Sequence, residues 1–386
     1  MARLGDYIKQ IRGVSYKPED LHSSLDDNSI SLLRANNIQD GKLVLDDVVF
    51  VDKSKVRAEQ LLKQGDILIC TSSGSKELVG KAAFVESDMN VTFGAFCKVV
   101  RPVMEHPRYL GHYFNSAVYR KQISALSAGA NINNIRGEHI DSLEIQIPSI
   151  NEQVSRSNSL SKIDELISLR KKQLQKLDDL VKSRFVEMFG DPETNPKGWK
   201  KESLKEHAEV IVGYPFPSEG YTETGISIVG GYNLMQGFIQ WEDSKHWPNE
   251  QGYKQYLLQS NDIVMAMDRP WVNGGFKIAK VEAKYLPALL IQRTACIRGR
   301  DLEQEFLYSL LNTQRFAEHC NITGSLVPHI SNKDINSFKV IIPPEKVQKQ
   351  FSAFASQADE SKQTIQQGLD KLEQMKQALM QKYFGC

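Results

Sequence analysis

The chain has 386 residues, of which 41% are hydrophobic and 25% are charged, so it is neither collagen-like nor wholly disordered. The 48 Lys and Arg nearly balance 47 Asp and Glu, and the net charge of +1 lacks the strong basic excess of a typical nucleic-acid-binding domain. The apolar runs are too short for a membrane helix of about 20 residues, and the five cysteines are scattered without CxxC spacing, so we expect a reduced, cytoplasmic protein of two or three domains.

The chain contains an internal repeat, which decides its architecture. The segment 65–86 matches 261–282 at an offset of 196 residues. Further on, 127–148 matches 322–343 at an offset of 195, and this offset persists to the end of the sequence. A near-constant offset across such distant segments indicates one long unit that is written twice.

Repeat 1 spans residues 1–190 and repeat 2 spans residues 196–386. Each repeat begins with short β-type runs, such as DILIC in the first and DIVMAM in the second, mixed with short helical stretches. Each repeat ends in a segment that reads as one long helix. The predicted domains are therefore two mixed α/β domains, 1–148 and 191–343, and two long helices, 149–190 and 344–386.

The long helix of repeat 1 has clear start and stop signals. Ser149-x-x-Glu152 is a capping box that satisfies free backbone N–H groups, and Gly190 followed by Pro192 stops the helix. In both long helices, apolar residues recur at three- and four-residue steps and form a narrow stripe typical of a coiled-coil seam. The stripe residues are Ile163, Ile167, Leu174, Leu177, Val181, Leu369, Leu372 and Leu379. Because each stripe needs a partner, we expect an α+β fold whose two repeated α/β domains are separated by two long antiparallel coiled-coil helices.

Together these features resemble the DNA-specificity subunit of type I restriction–modification systems, over essentially the entire chain. The resemblance rests on GDIL and VGKAA in 65–83, on their counterparts NDIV and GGFKIAK in 261–280, and on the helix-and-stop segment 161–200. It implies two target-recognition domains, each of which reads one half of a bipartite site in double-stranded DNA. It also implies that the helices set the spacer and dock two copies of a methyltransferase subunit, and that a motor-nuclease subunit joins the complex.

The first candidate DNA-reading loop follows a predicted strand and differs between the repeats. In repeat 1, small hydroxyl residues and Gly allow close backbone approach and a Lys can bind phosphate; the candidates are Ser72, Ser73, Gly74 and Lys76. In repeat 2 the candidates are Arg269, Trp271 and Asn273, of which Arg269 suits guanine and Asn273 suits adenine. Different chemistry on a repeated scaffold fits two different half-sites, and a polar hairpin loop is the alternative interpretation.

Two further loop pairs have residue types suited to DNA. In the second pair, amide and guanidinium groups offer base-edge donors and a phosphate clamp; the candidates are Asn131, Asn133, Asn134 and Arg136 in repeat 1 and His329 in repeat 2. A turn with Asx capping is the alternative for this loop. The third pair has the candidates Arg34, Asn36 and Asn37 in repeat 1 and Tyr232 and Asn233 in repeat 2.

Catalytic signatures are absent from the sequence, so we expect a non-catalytic subunit with no cofactor, no metal and no membrane partner. There is no Asn/Asp-Pro-Pro-Tyr/Phe tetrapeptide, no Gly-rich cofactor loop and no metal-ligand spacing among the His residues. Two alternatives stay open. Asp268, Glu282 and Lys284 mimic the acidic pair and Lys of a metal-dependent nuclease, and a coiled-coil scaffold would bind protein instead of DNA.

Overall fold

The structure is a computed structural model that describes residues 1–75, 77–127, 134–272, 275–320 and 329–385. The chain divides into two compact units, unit 1 (Met1–Lys171 with Gln367–Cys386) and unit 2 (Lys172–Gln366). Each unit contains one mixed α/β domain and parts of both long helices. Within the described ranges, no helix is both long enough and apolar enough to cross a membrane.

Unit 1 is built around two four-stranded sheets. Its strands are β1 (Ala2–Arg3), β2 (Ile8–Arg12), β3 (Leu21–His22), β4 (Ser29–Leu33), β5 (Ile38–Gln39), β6 (Lys42–Leu43), β7 (Val49–Asp52), β8 (Ile67–Cys70), β9 (Ala82–Phe84), β10 (Val91–Phe93), β11 (Cys97–Pro102) and β12 (Glu144–Ile145). One sheet has the order β10-β4-β7-β3 and the other β2-β11-β8-β9. The short helices α1 (Pro107–Phe114), α2 (Ala117–Ser127) and α3 (Gly137–Asp141) contribute buried residues to the same core as β8.

Unit 2 repeats this plan with changes at its edges. Its strands are β13 (Lys200–Ser203), β14 (Ala208–Val212), β15 (Ile226–Val229), β16 (Lys245–Trp247), β17 (Ile263–Ala266), β18 (Trp271–Val272), β19 (Gly275–Phe276), β20 (Ile278–Lys280), β21 (Ala288–Leu290), β22 (Thr294–Gly299) and β23 (Lys339–Ile342). The main sheets have the orders β14-β22-β17-β20 and β16-β15-β21. The short helices are α5 (Leu204–His207), α6 (Gln304–Leu311), α7 (Gln314–His319) and α8 (Asn332–Ser337).

The central strands of the two units have the same pairing register. Ile67 of β8 lies opposite Val100 of β11, and Ile263 of β17 lies opposite Ile297 of β22. Every residue of β8 and of β17 is buried. Continuous apolar runs such as ILIC and IVMA are expected where both faces of a strand are covered.

A buried ion pair recurs at the same place in each unit. Arg101 donates two hydrogen bonds of 2.7 Å to the carboxylate of Asp66, whose side chain is fully buried. In unit 2, Arg298 donates two hydrogen bonds of 2.7 Å to Asp262. Each guanidinium also donates to a backbone carbonyl, of Leu61 in unit 1 and its counterpart in unit 2. The aspartates that the repeats share therefore tie the start of one strand to its neighbour in the same sheet, β8 to β11 in unit 1 and β17 to β22 in unit 2.

The long helices are α4 (Ile150–Phe189) and α9 (Glu345–Phe384). At the start of α4, the Ser149 N–H donates to the Glu152 carboxylate at 3.2 Å, as the capping box predicts. At its end, Gly190 has a φ of 77°, in the left-handed region that glycine adopts most readily.

Within each unit the two helices run antiparallel. In unit 1 two ion pairs join α4 to α9, Asp164–Lys376 (2.6 Å) and Lys171–Glu373 (3.3 Å). From the first pair to the second, the residue number increases on α4 and decreases on α9. In unit 2, Asp178 pairs with Lys362 at 2.7 Å.

The predicted stripe residues face inward to different extents. Ile163 and Leu369 are buried. The half-buried members are Ile167, Leu174, Leu177, Val181, Leu372 and Leu379. The stripe thus forms a seam that is closed at some positions and partly open at others.

Unit 1 should lose stability as the pH falls below neutrality, because of His112. Burial lowers the pKa of His112 to about 4, the charge of Arg108 acts in the same direction, and Asp164 opposes both. Since an unfolded His titrates near 6.5, the unfolded chain takes up a proton between about pH 6.5 and pH 4 that the folded chain does not. Unit 1 therefore keeps this contribution to its stability above about pH 6.5 and loses it as the pH falls from about 6.5 to about 4.

Between pH 7 and pH 5 we expect this group to remove about 2 kcal/mol from the unfolding free energy. Urea unfolding at the two pH values checks this, with His112→Gln as the comparison. An equal loss of stability in the Gln variant would show that other groups cause the effect.

Candidate nucleic-acid interface

The first two candidate loops lie side by side in unit 1. The backbone N–H groups of Thr71 and Ser72 donate to the Phe96 carbonyl at 2.9 and 3.1 Å. The Ile135 N–H donates to the Thr71 carbonyl at 2.7 Å, and Ser72 forms an isolated β-bridge with Asn134. Ser72 and Asn134 are some sixty residues apart in sequence. Their segments thus meet at one edge of the sheet, where β8 ends and β11 begins.

The same contacts occur at the equivalent positions of unit 2. The Met267 N–H donates to the Arg293 carbonyl at 2.9 Å, and the Ile330 N–H donates to the Met267 carbonyl at 2.8 Å. Asp268 forms the β-bridge with His329, and its carboxylate also contacts the His329 imidazole Nδ1. The second carboxylate oxygen of Asp268 lies 2.8 Å from Nη1 of Arg293. The repeat therefore places matching loops together in both units.

Side chains at these edges are available to a partner. Asn134, Arg136, Arg269 and His329 are exposed. In the first loop of unit 1, Gly74 is exposed and Ser72 and Ser73 are half-buried. The candidates Lys76, Asn131, Asn133 and Asn273 lie outside the described residues.

The third candidate loop of unit 1 begins beside the same edge. The Gly94 N–H donates to the Leu33 carbonyl at 2.9 Å, just before Arg34. Asp47 accepts hydrogen bonds from Arg34 Nη2 at 3.3 Å and from Asn36 Nδ2 at 2.8 Å. Asn36 is exposed and Arg34 is half-buried, so both side chains are reachable but are held by one acidic residue.

Two predicted base readers are structural residues. The Asn37 side chain is fully buried and donates to the carbonyls of Val44 and Asp46, both at 2.9 Å. Its counterpart Asn233 is equally buried and accepts a hydrogen bond from the Gly230 N–H at 2.9 Å. The prediction that Asn37 and Asn233 contact DNA is wrong, because both side chains are buried and their amide groups form hydrogen bonds within a turn.

The two aromatic candidates of unit 2 are only partly exposed. The Tyr232 hydroxyl donates to the Ile228 carbonyl at 2.9 Å and accepts from the Lys245 N–H at 3.1 Å, and burial raises its pKa to about 12. Trp271 is half-buried and stacks on Phe276 at a ring-centroid distance of 6.5 Å. The Tyr232 hydroxyl is therefore engaged within unit 2, and Trp271 packs in large part against the core.

A basic cavity opens beside the paired loops of unit 1. It has a volume of about 560 Å³, and its lining includes Arg12, Lys98, Asn134 and Arg136. Lys98 Nζ donates to the Gln10 side chain at 2.8 Å, and burial, together with the charge of Arg12, lowers the pKa of Lys98.

Sequence reasoning missed Arg12 and Lys98 because no local motif joins them. They become neighbours only through the antiparallel register of β2 and β11, which places Lys98 opposite Arg12. The detectable signal is a basic residue on each of two strands whose pairing must first be known.

Comparison with known families identifies the chain. The model of the type I restriction–modification DNA specificity domain matches it twice, over residues 24–179 and 196–374. The chain belongs to this family. The two matches correspond to the two repeats, and recognition of DNA is the function that the family shares.

Individual specificity subunits are similar over different shares of their length. The specificity subunit of the type I restriction enzyme EcoKI from Escherichia coli K12 is 28% identical over 397 residues, which cover 97% of this chain and 86% of that protein. The StySPI specificity subunit from Salmonella potsdam is 42% identical over 173 residues, 45% of this chain and 37% of that protein. A crystal structure of an S subunit from M. genitalium has a TM-score of 0.59 at 15% identity, covers 99% and 95% of the two chains, and shares the fold.

The nuclease alternative is not favoured in a DNA specificity subunit. Lys284 pairs with Glu282 at 2.9 Å, whereas Asp268 binds Arg293 and His329. Asp268 thus has partners outside the set, while Glu282 and Lys284 pair with each other. Elsewhere in unit 2, Glu202, Glu206 and His207 lie within 4.8 Å of one another, but both ring nitrogens of His207 already contact carboxylates.

Proposed function

We propose that this chain is the non-catalytic DNA-recognition subunit of a cytoplasmic type I restriction–modification complex, in which each unit reads one half of a bipartite site. The observation that supports this most directly is the duplicate loop arrangement. Ser72 with Asn134 in unit 1 and Asp268 with His329 in unit 2 have the same backbone contacts and different side chains. Equal scaffolds with unequal reading groups suit two different half-sites.

In unit 1, different residues are suited to contact the phosphates and the bases of DNA. Arg12, Lys98 and Arg136 surround the basic cavity and are suited to bind phosphates, which position a protein without reading sequence. Asn134 stands beside them with an amide that can pair with a base edge. Because the whole chain is nearly neutral, we expect affinity for DNA to be modest without a partner that adds phosphate contacts.

The long helices offer a surface for the protein partners. Large apolar residues remain exposed on them: Ile150, Val154, Leu169, Leu180, Val186 and Met375. Exposed apolar positions on amphipathic helices are suited to bind a further helix. We propose that two copies of a methyltransferase subunit dock on the helices and that a motor-nuclease subunit binds to the resulting complex.

Co-purification followed by methylome sequencing tests the proposal. The chain alone, given Mg²⁺, ATP and a methyl donor, should neither cut nor methylate plasmid DNA. Together with its methyltransferase subunit it should methylate one bipartite sequence. Metal-dependent cutting by the chain alone that is lost in Glu282→Ala would support the nuclease alternative, and binding of protein partners without any DNA sequence preference would support the scaffold alternative.

Replacing Arg269 with Ala should relax or abolish recognition of one half-site. Arg269 is exposed at a φ of 46°, next to the Asp268–His329 pair. Loss of a bidentate contact to guanine costs about 1–3 kcal/mol of discrimination. Recognition of the other half-site should survive, and methylation mapping measures both halves in one experiment. A map in which both halves change, or neither does, would exclude Arg269 as a base reader.

A further inference from the structure

One position at the candidate interface carries an aromatic side chain in unit 1 and a cationic side chain in unit 2. Phe96 lies in the turn between β10 and β11, and Arg293 lies in the turn between β21 and β22. The carbonyl of each accepts a hydrogen bond of 2.9 Å from the first loop, from Thr71 in unit 1 and from Met267 in unit 2. The two residues are therefore structural equivalents, although one is aromatic and the other cationic.

Both side chains project from the edge into solvent. Phe96 is 71% exposed, and the side chain of Arg293 is 72% exposed. The backbone of each is held by the first candidate loop, and in unit 2 the Arg293 side chain also contacts Asp268. A base reader needs this combination of a fixed backbone and a reachable side chain.

In unit 1, the residues on either side of Phe96 in the chain, Ala95 and Cys97, line the basic cavity. Ser72 donates its N–H to the Phe96 carbonyl at 3.1 Å, and Ala95 lines the basic cavity together with Arg12 and Lys98. An aromatic ring cannot bind phosphate, so beside groups suited to phosphate its use is contact with the apolar parts of bases. The thymine methyl group is the apolar feature of the major groove.

In unit 2, Arg293 is held by more than its backbone. Its φ of 63° is rarely adopted by residues other than Gly, Asn and Asp. Its Nη1 lies 2.8 Å from the Asp268 carboxylate, which also contacts His329. An exposed ion pair adds little stability, so its effect here is to orient the guanidinium.

The residue in the first loop changes together with this position. Unit 1 combines Phe96 with Ser72, and unit 2 combines Arg293 with Asp268. An Asp next to DNA repels phosphate unless cations neutralise it, and Arg293 does so. A guanidinium has five N–H groups, so Arg293 keeps N–H donors other than those on Nη1 that can bind a base edge.

We propose that this position determines specificity in both units: Phe96 reads one half-site by apolar contact with a base, and Arg293 reads the other by donating to a base edge. Asp268 is a positioning residue that acts through Arg293 and His329. The inference rests on the proposed function, because it requires that each unit reads one half-site.

The test uses the complete complex with its methyltransferase subunit and DNA duplexes that carry the site mapped for the wild type. Arg293→Ala should reduce discrimination at one base pair of one half-site by about 10- to 100-fold. Phe96→Ala should relax one base pair of the other half-site, and replacing thymine by uracil there should weaken the wild type but not this variant. Asp268→Asn should reduce discrimination less than Asp268→Ala, because the amide can still accept a hydrogen bond from Arg293.

The opposite ends of the same strands supply matched controls. Val103, which follows β11, is 64% exposed, and Arg300, which follows β22, is also exposed. Val103→Ala and Arg300→Ala should leave both half-sites unchanged. In every variant, the half-site read by the unaltered unit reports whether the complex is folded.

Two results would overturn the inference. One is unchanged discrimination at every base pair in both Phe96→Ala and Arg293→Ala. The other is a uniform loss of affinity across all sequences with a reduced salt dependence in Arg293→Ala, which would identify a phosphate contact. Failure of the proposed function itself is distinguishable, since the wild-type complex would then have no bipartite site to map.

Discussion

Inserting seven residues into each long helix should lengthen the unread spacer of the DNA site by about three base pairs. Seven helical residues add roughly 10.5 Å, and DNA rises about 3.4 Å per base pair. The insertions belong next to Leu174 and Leu369, between the ion pairs Lys171–Glu373 and Asp178–Lys362. A heptad keeps the stripe in register, so both half-sites should retain their bases. Methylome sequencing of cells that carry the lengthened variant measures the spacer.

Insertion into one helix alone is the matched control. It displaces one side of the seam relative to the other and should abolish assembly or methylation. A doubly lengthened variant that is fully active with the original spacer would show that the helices do not set the distance between half-sites.

Removing the carboxylate of Asp66 should destabilise unit 1 by about 3–5 kcal/mol, because it leaves the largely buried Arg101 without its partner. Asp262→Ala should have the same effect on unit 2 through Arg298. Hydrogen exchange followed by mass spectrometry can locate the loss, since each variant should exchange faster in its own unit.

A variant in which both Asp66 and Arg101 are replaced distinguishes the cost of an unpaired buried charge from the cost of lost packing. In Asp66→Ala combined with Arg101→Met, most of the stability should return, because no uncompensated charge stays buried. Faster exchange in both units after Asp66→Ala would contradict the local role given to this pair. An unchanged unfolding free energy would show that Arg101 is solvated well enough without Asp66.

The architecture was open to prediction because it is written in long-range sequence patterns. The constant offset predicted two equivalent α/β domains, and the cap at Ser149 and the glycine at 190 predicted the start and end of α4. The juxtaposition of the first two candidate loops does not follow from local rules, yet the repeat indicated equivalent loops, and Ser72 and Asp268 occupy them.

The individual site residues were harder to predict, because residue type does not report exposure. Asn37 has the side chain of a base reader and is spent on a buried turn. Phe96 has the side chain of a core residue and is exposed at the candidate interface. Arg12 and Lys98 meet only across a strand pair. Each case depends on tertiary contacts that single-sequence patterns do not contain.

The discontinuous make-up of unit 1 has a consequence for folding during synthesis. Its core includes Met380 and Phe384 from α9, and the Phe384 ring lies 5.1 Å from that of Tyr109. Unit 2 is one contiguous segment, Lys172–Gln366, and can close as soon as it leaves the ribosome. At ribosomal rates of about 5–20 residues per second, unit 1 waits on the order of tens of seconds for the end of α9. During that interval Tyr109 and the rest of this core lack the apolar side chains that α9 contributes, so the part of the chain made first is completed last.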